Sequence, residues 1–240
     1  MRYIPKKNPP EYLEHWKEKQ EKAGLPLYYD DFPHRPLLNK DLRQEQHNIC
    51  CYCQRRVDHF QGDLRYGSHN EHLYPENIPG DAMSLKLQVE YSNIYACCID
   101  SRGFEKRLQH CGEAKSNKKI PHLIQDPNCS SFFRYNILGE IIPNGKYMQW
   151  NEYEDQEETL SAHEHDAFLC IKTLKLNCLT LKQYRHEVLQ TFITIISKWP
   201  AEKIKQYIHS YETAKEYQEL VDMKLQYMRQ RLQVLRETLL

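Results

Sequence analysis

The alternation of apolar and polar positions divides the chain into helical ends and an irregular middle. The strongest periodicity is C-terminal. Ile204, Tyr207, Tyr211, Ala214, Val221, Leu225, Met228, Leu232, Leu235 and Leu239 recur at spacings of three and four residues, broken only at Gln218. This is a coiled-coil-like seam of about five heptads, and it predicts one long helix. Such a seam fits packing against the preceding helix, predicted over 168–196, and it also fits a docking or dimerisation helix. Upstream, Phe132, Tyr135 and Ile137, then Ile141 and Ile142, alternate toward Pro143-Asn144-Gly145. That pattern predicts a β-hairpin with its turn at Asn144-Gly145. The acidic run from Glu152 to Glu158 reads as a solvated linker. Near the N-terminus an amphipathic helix is predicted around 10–17, and a short helix over 38–46 leads into the first cysteines. The stretch 48–125 breaks into short strands and turns, with signals such as Pro79-Gly80-Asp81. The expected fold class is α+β and mostly helical, without internal repeats.

Composition narrows the possible functions. A chain of 240 residues can bury one or two cores of ordinary size. Lys plus Arg and Asp plus Glu balance at 33 each, giving a formal net charge of zero. Affinity for phosphates comes from clustered basic charge, so a protein that generally coats nucleic acid is disfavoured, while a local basic groove is not. There is no run of about 18 apolar residues to span a membrane. The start, Met1-Arg2-Tyr3-Ile4-Pro5-Lys6-Lys7, is unlike a signal peptide. These features predict a cytoplasmic protein, where nine cysteines point to metal binding or free thiols instead of disulfides.

The cysteines carry the candidate chemistry. Cys50 and Cys53 form a C-x-x-C, and Cys98 and Cys111 supply a second pair. Four thiolates in two separated groups suit one tetrahedral structural zinc. A redox C-x-x-C would open a helix in a thioredoxin-like pattern, which is absent here. Cys51 and Cys97 adjoin the favoured thiols and compete with them; Cys50 is preferred because it gives the two-residue knuckle with Cys53. Between the pairs lie Glu71-His72 and Asn93, a carboxylate, an imidazole and an amide. Phosphodiester hydrolysis needs a base for water and a divalent ion for the leaving oxygen. Neighbouring strand residues point to opposite faces, so Glu71 and His72 can act together only at a bend or strand end, which Pro75 would supply.

Several segments resemble the HNH endonucleases: Leu42 through Cys53, then Glu71-His72-Leu73-Tyr74-Pro75, then Tyr91 through Cys98, then His110 through Asn117. More narrowly, they are similar to the HNH partner proteins of retron and Septu-type anti-phage systems of bacteria. Pro9-Pro10-Glu11-Tyr12-Leu13, and Leu174-Lys175-Leu176-Asn177 followed by Leu181 and Arg185, extend the likeness over most of 1–190. The resemblance implies a zinc-stapled ββα-metal core over 47–125, after an N-terminal helical segment, 1–46. A hairpin and acidic linker over 126–158, and a C-terminal helical region over 159–240 suited to partner docking, would follow.

The same resemblance implies site roles: His72 as general base, Asn93 orienting the loop and the base, and Glu71 as ligand of a catalytic Mg2+ or Mn2+ separate from the zinc. It further implies an ABC/SMC-like ATPase partner, a retron RNA–DNA hybrid (msDNA) and reverse transcriptase in some systems, and a nucleic-acid substrate. The chain departs from the family at one corner. Gly112 follows the last zinc cysteine where the family has His, although Lys115 is in place. A second ligand for the catalytic ion is therefore sought in His110, Glu113 or Asn117. Arg102, Lys106 and Arg107, between Cys98 and Cys111, are candidates for backbone phosphates or members of an exposed polar helix. The competing reading is a non-catalytic, zinc-stapled adaptor.

Overall fold

Helix α1 (Glu11–Lys22) starts directly after Pro10 and buries Leu13 and Trp16, three residues apart on one stripe. Helix α2 (Arg35–Glu45), with Pro36 in its first turn, buries Leu38 and Leu42. His47 and Asn48 then take left-handed backbone (φ 53° and 62°), which ends the helix and bends the chain into the Cys50–Cys53 knuckle. In the computed structural model, which describes residues 1–58 and 67–237, the chain is α+β and about half helical, with two small two-stranded sheets.

The first sheet pairs β1 (Ser68–His72) antiparallel with β2 (Ile94–Cys98), placing His69 opposite Cys97 and Glu71 opposite Tyr95. Alternation splits β2 between two cores. Ile94 and Ala96 pack with Leu13, Trp16, Phe32, Leu38 and Leu42 of the N-terminal layer. Tyr95 and Cys97 belong to a larger cluster that includes the zinc-candidate cysteines and reaches from Met1 to Met223. Each large apolar side chain fully buried in these clusters contributes about 1.5–3 kcal/mol. Between the strands run α3 (Ala82–Leu87), capped by Asp81 accepting from the Met83 N–H at 2.9 Å, and a 3-10 turn, Tyr91–Asn93. After β2, the chain loops to the one-turn helix α4 (Gly112–Lys115). The stretch between Cys98 and Gly112 is made of turns and not of a helix.

The second sheet is the expected hairpin, β3 (Phe133–Tyr135) with β4 (Ile141–Pro143), but its turn lies elsewhere. Asn136 accepts from the Leu138 and Glu140 N–H groups through Oδ1, and Gly139 takes φ 77°. That Asn-x-x-Gly turn wins over Asn144-Gly145, which falls after β4. Gly139 is required twice over, since a Cβ there would also lie 2.3 Å from the Lys182 carbonyl oxygen. The acidic run is not a bare linker. It forms α5 (Trp150–Asp155), fixed by a Gln149/Glu152 capping box and by buried Tyr153, whose hydroxyl donates to the Pro143 carbonyl at 2.9 Å.

The remainder is helical: α6 (Ala162–Thr173), α7 (Leu179–Ser197), α8 (Ala201–Glu212) and α9 (Val221–Glu237), but the helix expected over 168–196 is broken between α6 and α7, where Lys175 takes φ 47°. The C-terminal seam is not one helix. Between Glu212 and Val221 the chain turns, with Leu220 at φ 56°, and docks on the cysteine knuckle. The Tyr217 N–H donates to the His47 carbonyl and the Leu220 N–H to the Gln54 carbonyl. Most of the seam therefore closes on itself: Ile204 and Tyr211 of α8 meet Val221, Leu225 and Met228 of α9, together with Phe192 and Ile196 of α7. Leu239 lies outside the described residues. Among the described residues, no helix is long and apolar enough to cross a membrane.

Candidate metal centre and active site

The knuckle, the end of β2 and the start of α4 converge on four buried sulfurs. Cys50, Cys53, Cys98 and Cys111 have all their Sγ atoms within 4.8 Å of one another. Sulfurs sharing a tetrahedral zinc at about 2.3 Å lie about 3.8 Å apart. The Cys53–Cys98 and Cys50–Cys111 separations are 3.7 and 4.0 Å. These cysteines are free thiols, far beyond the about 2.05 Å of a disulfide. The cluster can hold a metal ion and its spacing is that of zinc. Cys51 and Cys97 group with Cys50 as three thiols and not four, so the favoured tetrad is the one the fold assembles.

His110 belongs to this centre. It is buried, its Nδ1 lies 3.3 Å from Cys111 Sγ, and its Nε2 is 3.9 Å from Asp100, which pairs with Arg55. Burial pushes its imidazole down toward the neutral form, against the opposing charge of Asp100. The other two residues considered as ligands beside Glu71 are committed elsewhere. Glu113 pairs with Arg102 at 2.9 Å, and the exposed Asn117 donates to the Asn77 carbonyl at 3.0 Å. Arg107 pairs with Glu105, and the Lys106 carbonyl accepts from Lys175.

Glu71 and His72 part company, because β1 stays extended through both and no bend brings them together. Glu71 faces the cysteine side and is 8% exposed. Its Oε1 meets Lys115 Nζ at 3.0 Å and the Tyr52 hydroxyl at 3.3 Å, and its Oε2 meets His69 Nε2 at 3.1 Å. Burial, the largest influence, pushes its pKa up. The His69 hydrogen bond and the Lys115 charge outweigh it and hold the carboxyl below its ordinary value. His72 faces the N-terminal layer, edge-on to Tyr29 with ring centroids 4.5 Å apart. Its Nε2 lies 2.8 Å from the Gln88 carbonyl and its Nδ1 3.2 Å from Glu76. Burial lowers its pKa, against the charge of Glu76.

Asn93 is locked into the backbone. Its Oδ1 accepts from the Tyr74 N–H at 2.7 Å, and its Nδ2 donates to the Tyr74 and Leu87 carbonyls at 3.0 and 3.1 Å. It thereby ties the loop after β1 to the end of α3.

Two residues complete this site: His69, which the sequence reading missed, and Lys115, which it noted without giving it a role. His69 shares a strand face with Glu71 through period-two spacing, a signal hidden by treating the adjacent Glu71-His72 as the unit. Lys115 is 1% exposed and also donates to the His72 carbonyl at 2.8 Å, so it links both sides of β1. Gly112 is explained by the same geometry: a Cβ there would lie 2.5 Å from Glu71 Oε2 and 2.7 Å from His69 Nε2. No side chain fits. His69 also lines an open polar cleft with Arg35, Asn39, Arg43 and Asn70. No family model matches the chain, and no curated protein matches it at a significant level.

Proposed function

We propose that this protein is a metal-dependent phosphodiesterase of HNH type, acting on nucleic acid. The observation that carries the reading is the order β1, β2, α4 around a zinc-competent tetrad. It sets a buried carboxylate and an imidazole 3.1 Å apart beside a cleft with two arginines. This is the layout expected of a ββα-metal core. A divalent ion bound there would polarise the scissile phosphate and stabilise the leaving oxygen. Glu71 would hold that ion through Oε2 while Lys115 neutralises Oε1. Arg35 and Arg43 would take flanking phosphates. Asn93 would fix the loop that carries Tyr74. The role of effector beside an ABC/SMC-like ATPase in anti-phage defence, with Mg2+ or Mn2+ as the ion and a retron nucleic acid as possible company, rests on the sequence resemblance.

The second reading, a zinc-stapled adaptor, is favoured by one specific observation: both ring nitrogens of the proposed base, His72, are engaged in the interior. The purified chain, alone and with an ABC/SMC-like ATPase of the kind the resemblance implies, is to be incubated with duplex DNA, single-stranded DNA and RNA plus a divalent ion. Cleavage by wild type and at least a hundredfold less by Glu71→Gln with the four-cysteine zinc retained is the expected result. No cleavage in either form, or equal cleavage by Glu71→Gln, would leave the adaptor.

A further inference from the structure

We propose that His69, Glu71 and Cys97 form a second metal site, beside the four-cysteine site, for a divalent ion of borderline softness such as zinc or cobalt. The inference deepens the nuclease reading, on which it rests for that use, by giving the ion a ligand set that suits zinc or cobalt instead of the Mg2+ or Mn2+ that the resemblance implies. Its physical basis is independent of it.

The donor atoms of the three residues all lie within 4.8 Å of one another. Strand pairing explains why. His69 and Cys97 are direct cross-strand partners, and Glu71 follows two residues along on the same face. Gly112 presents bare backbone to the same spot: its N–H donates to Cys97 Sγ at 3.3 Å, and any Cβ would strike Glu71 Oε2 and His69 Nε2. The missing side chain leaves the His69 imidazole its place beside Glu71.

The division of Glu71 between partners supports the same conclusion. Lys115 takes Oε1, so Oε2 is available to an ion without releasing the lysine. One thiolate, one imidazole and one carboxylate make a three-ligand set of the catalytic kind, in which a further position is left for water or substrate. His69 is the outward member, with 22% of its side chain exposed, and it opens on the arginine-lined cleft. The thiolate selects zinc or cobalt over magnesium, which prefers oxygen donors.

The test is metal stoichiometry on the full chain, by elemental analysis after equilibration in a zinc buffer and by cobalt titration of the zinc-loaded protein. Wild type is expected to bind about two equivalents. His69→Gln, which can keep the hydrogen bond to Glu71, and Gly112→Ala are expected to retain about one, with the four-cysteine site intact. Cys97→Ser is expected to lose the sulfur-to-cobalt absorption of the second equivalent, while Cys51→Ser keeps it. A single equivalent in folded wild type, or two in both His69→Gln and Cys97→Ser, would overturn the site. Two equivalents in a wild type that cuts no nucleic acid would keep the site and remove the nuclease reading. Cleavage by a chain holding one equivalent would do the reverse.

Discussion

Replacing Lys115 with Met isolates the interaction on which the geometry of Glu71 depends. The ammonium is 3.0 Å from Glu71 Oε1, with side-chain exposures of 2% and 9% for the two partners. At that depth the pair is not a surface salt bridge, which would be worth at most about 1 kcal/mol. Removing one partner of a buried pair strands a charge and typically costs about 3–5 kcal/mol. The His72 carbonyl loses its donor as well. For a chain of this size such a loss lowers the melting temperature by about 6–20 °C. The sign of the pH dependence follows from Glu71. In the wild type its pKa is depressed, so its contribution is present above the unfolded value and is lost as pH falls through the folded one. In Lys115→Met, burial is opposed by His69 alone and raises the carboxyl. The deficit of the variant is then greatest at neutral pH and shrinks on acidification. Urea unfolding at fixed free zinc, compared at several pH values, measures both. Lys115→Met/Glu71→Gln should recover most of the loss, because no buried charge is left alone. A deficit below about 1 kcal/mol that is flat with pH would show that Glu71 is solvated and refute the reasoning.

Three further outcomes are expected. Cys50→Ser should yield a zinc-free chain with a collapsed middle segment, since binding of a structural zinc, on the order of 10 kcal/mol, is comparable to the whole stability of a domain. A folded, metal-free Cys50→Ser protein by circular dichroism and elemental analysis would contradict the staple. Asn93→Ala removes three hydrogen bonds to a buried loop and should cost about 2–3 kcal/mol in urea unfolding without changing zinc content. Gly139→Ala adds a Cβ 2.3 Å from the Lys182 carbonyl at a left-handed position and should cost more than about 2 kcal/mol by thermal melting, whereas Gly80→Ala, with open space around it, should show only the backbone strain.

Much of the local structure was legible in the chain. The metal-competent tetrad could be read from spacing because two separated cysteine pairs suit one tetrahedral ion. Helices α1 and α2 declare themselves through apolar stripes, and α6 opens on a Ser161/Glu164 capping box. The likeness around Leu174 to Asn177 and Arg185 also has a local meaning. Buried Arg185 donates to the Gly139 and Leu176 carbonyls at 2.6 Å each, and Asn177 exchanges hydrogen bonds with the backbone of Ile141. That knot joins the hairpin to α7 close to the zinc centre, where the Cys111 N–H donates to the Leu174 carbonyl. Less legible were features with two competing local solutions. Asn136 and Gly139 took the turn from Asn144-Gly145, and the loop carrying Gln218 cut a seam whose spacing alone predicted one continuous helix.

By itself, then, the sequence determined which cysteines would be metal-competent and that both ends of the chain would be largely helical. Those properties depend on residue type and short-range period. Tertiary structure decided who meets whom. Strand alternation sent His72 to the Tyr29 side and Glu71 to the cysteine side, and cross-strand register put His69 against Cys97. The approach of α4 placed Lys115 on Glu71 and left Gly112 no room for a side chain. Adjacency along the chain suggested the pair Glu71 and His72, whereas adjacency in space made the group His69, Glu71, Cys97 and Lys115. The physical reason is that an extended strand separates neighbours and unites alternate residues, and only the packing of the sheet says what waits on each face.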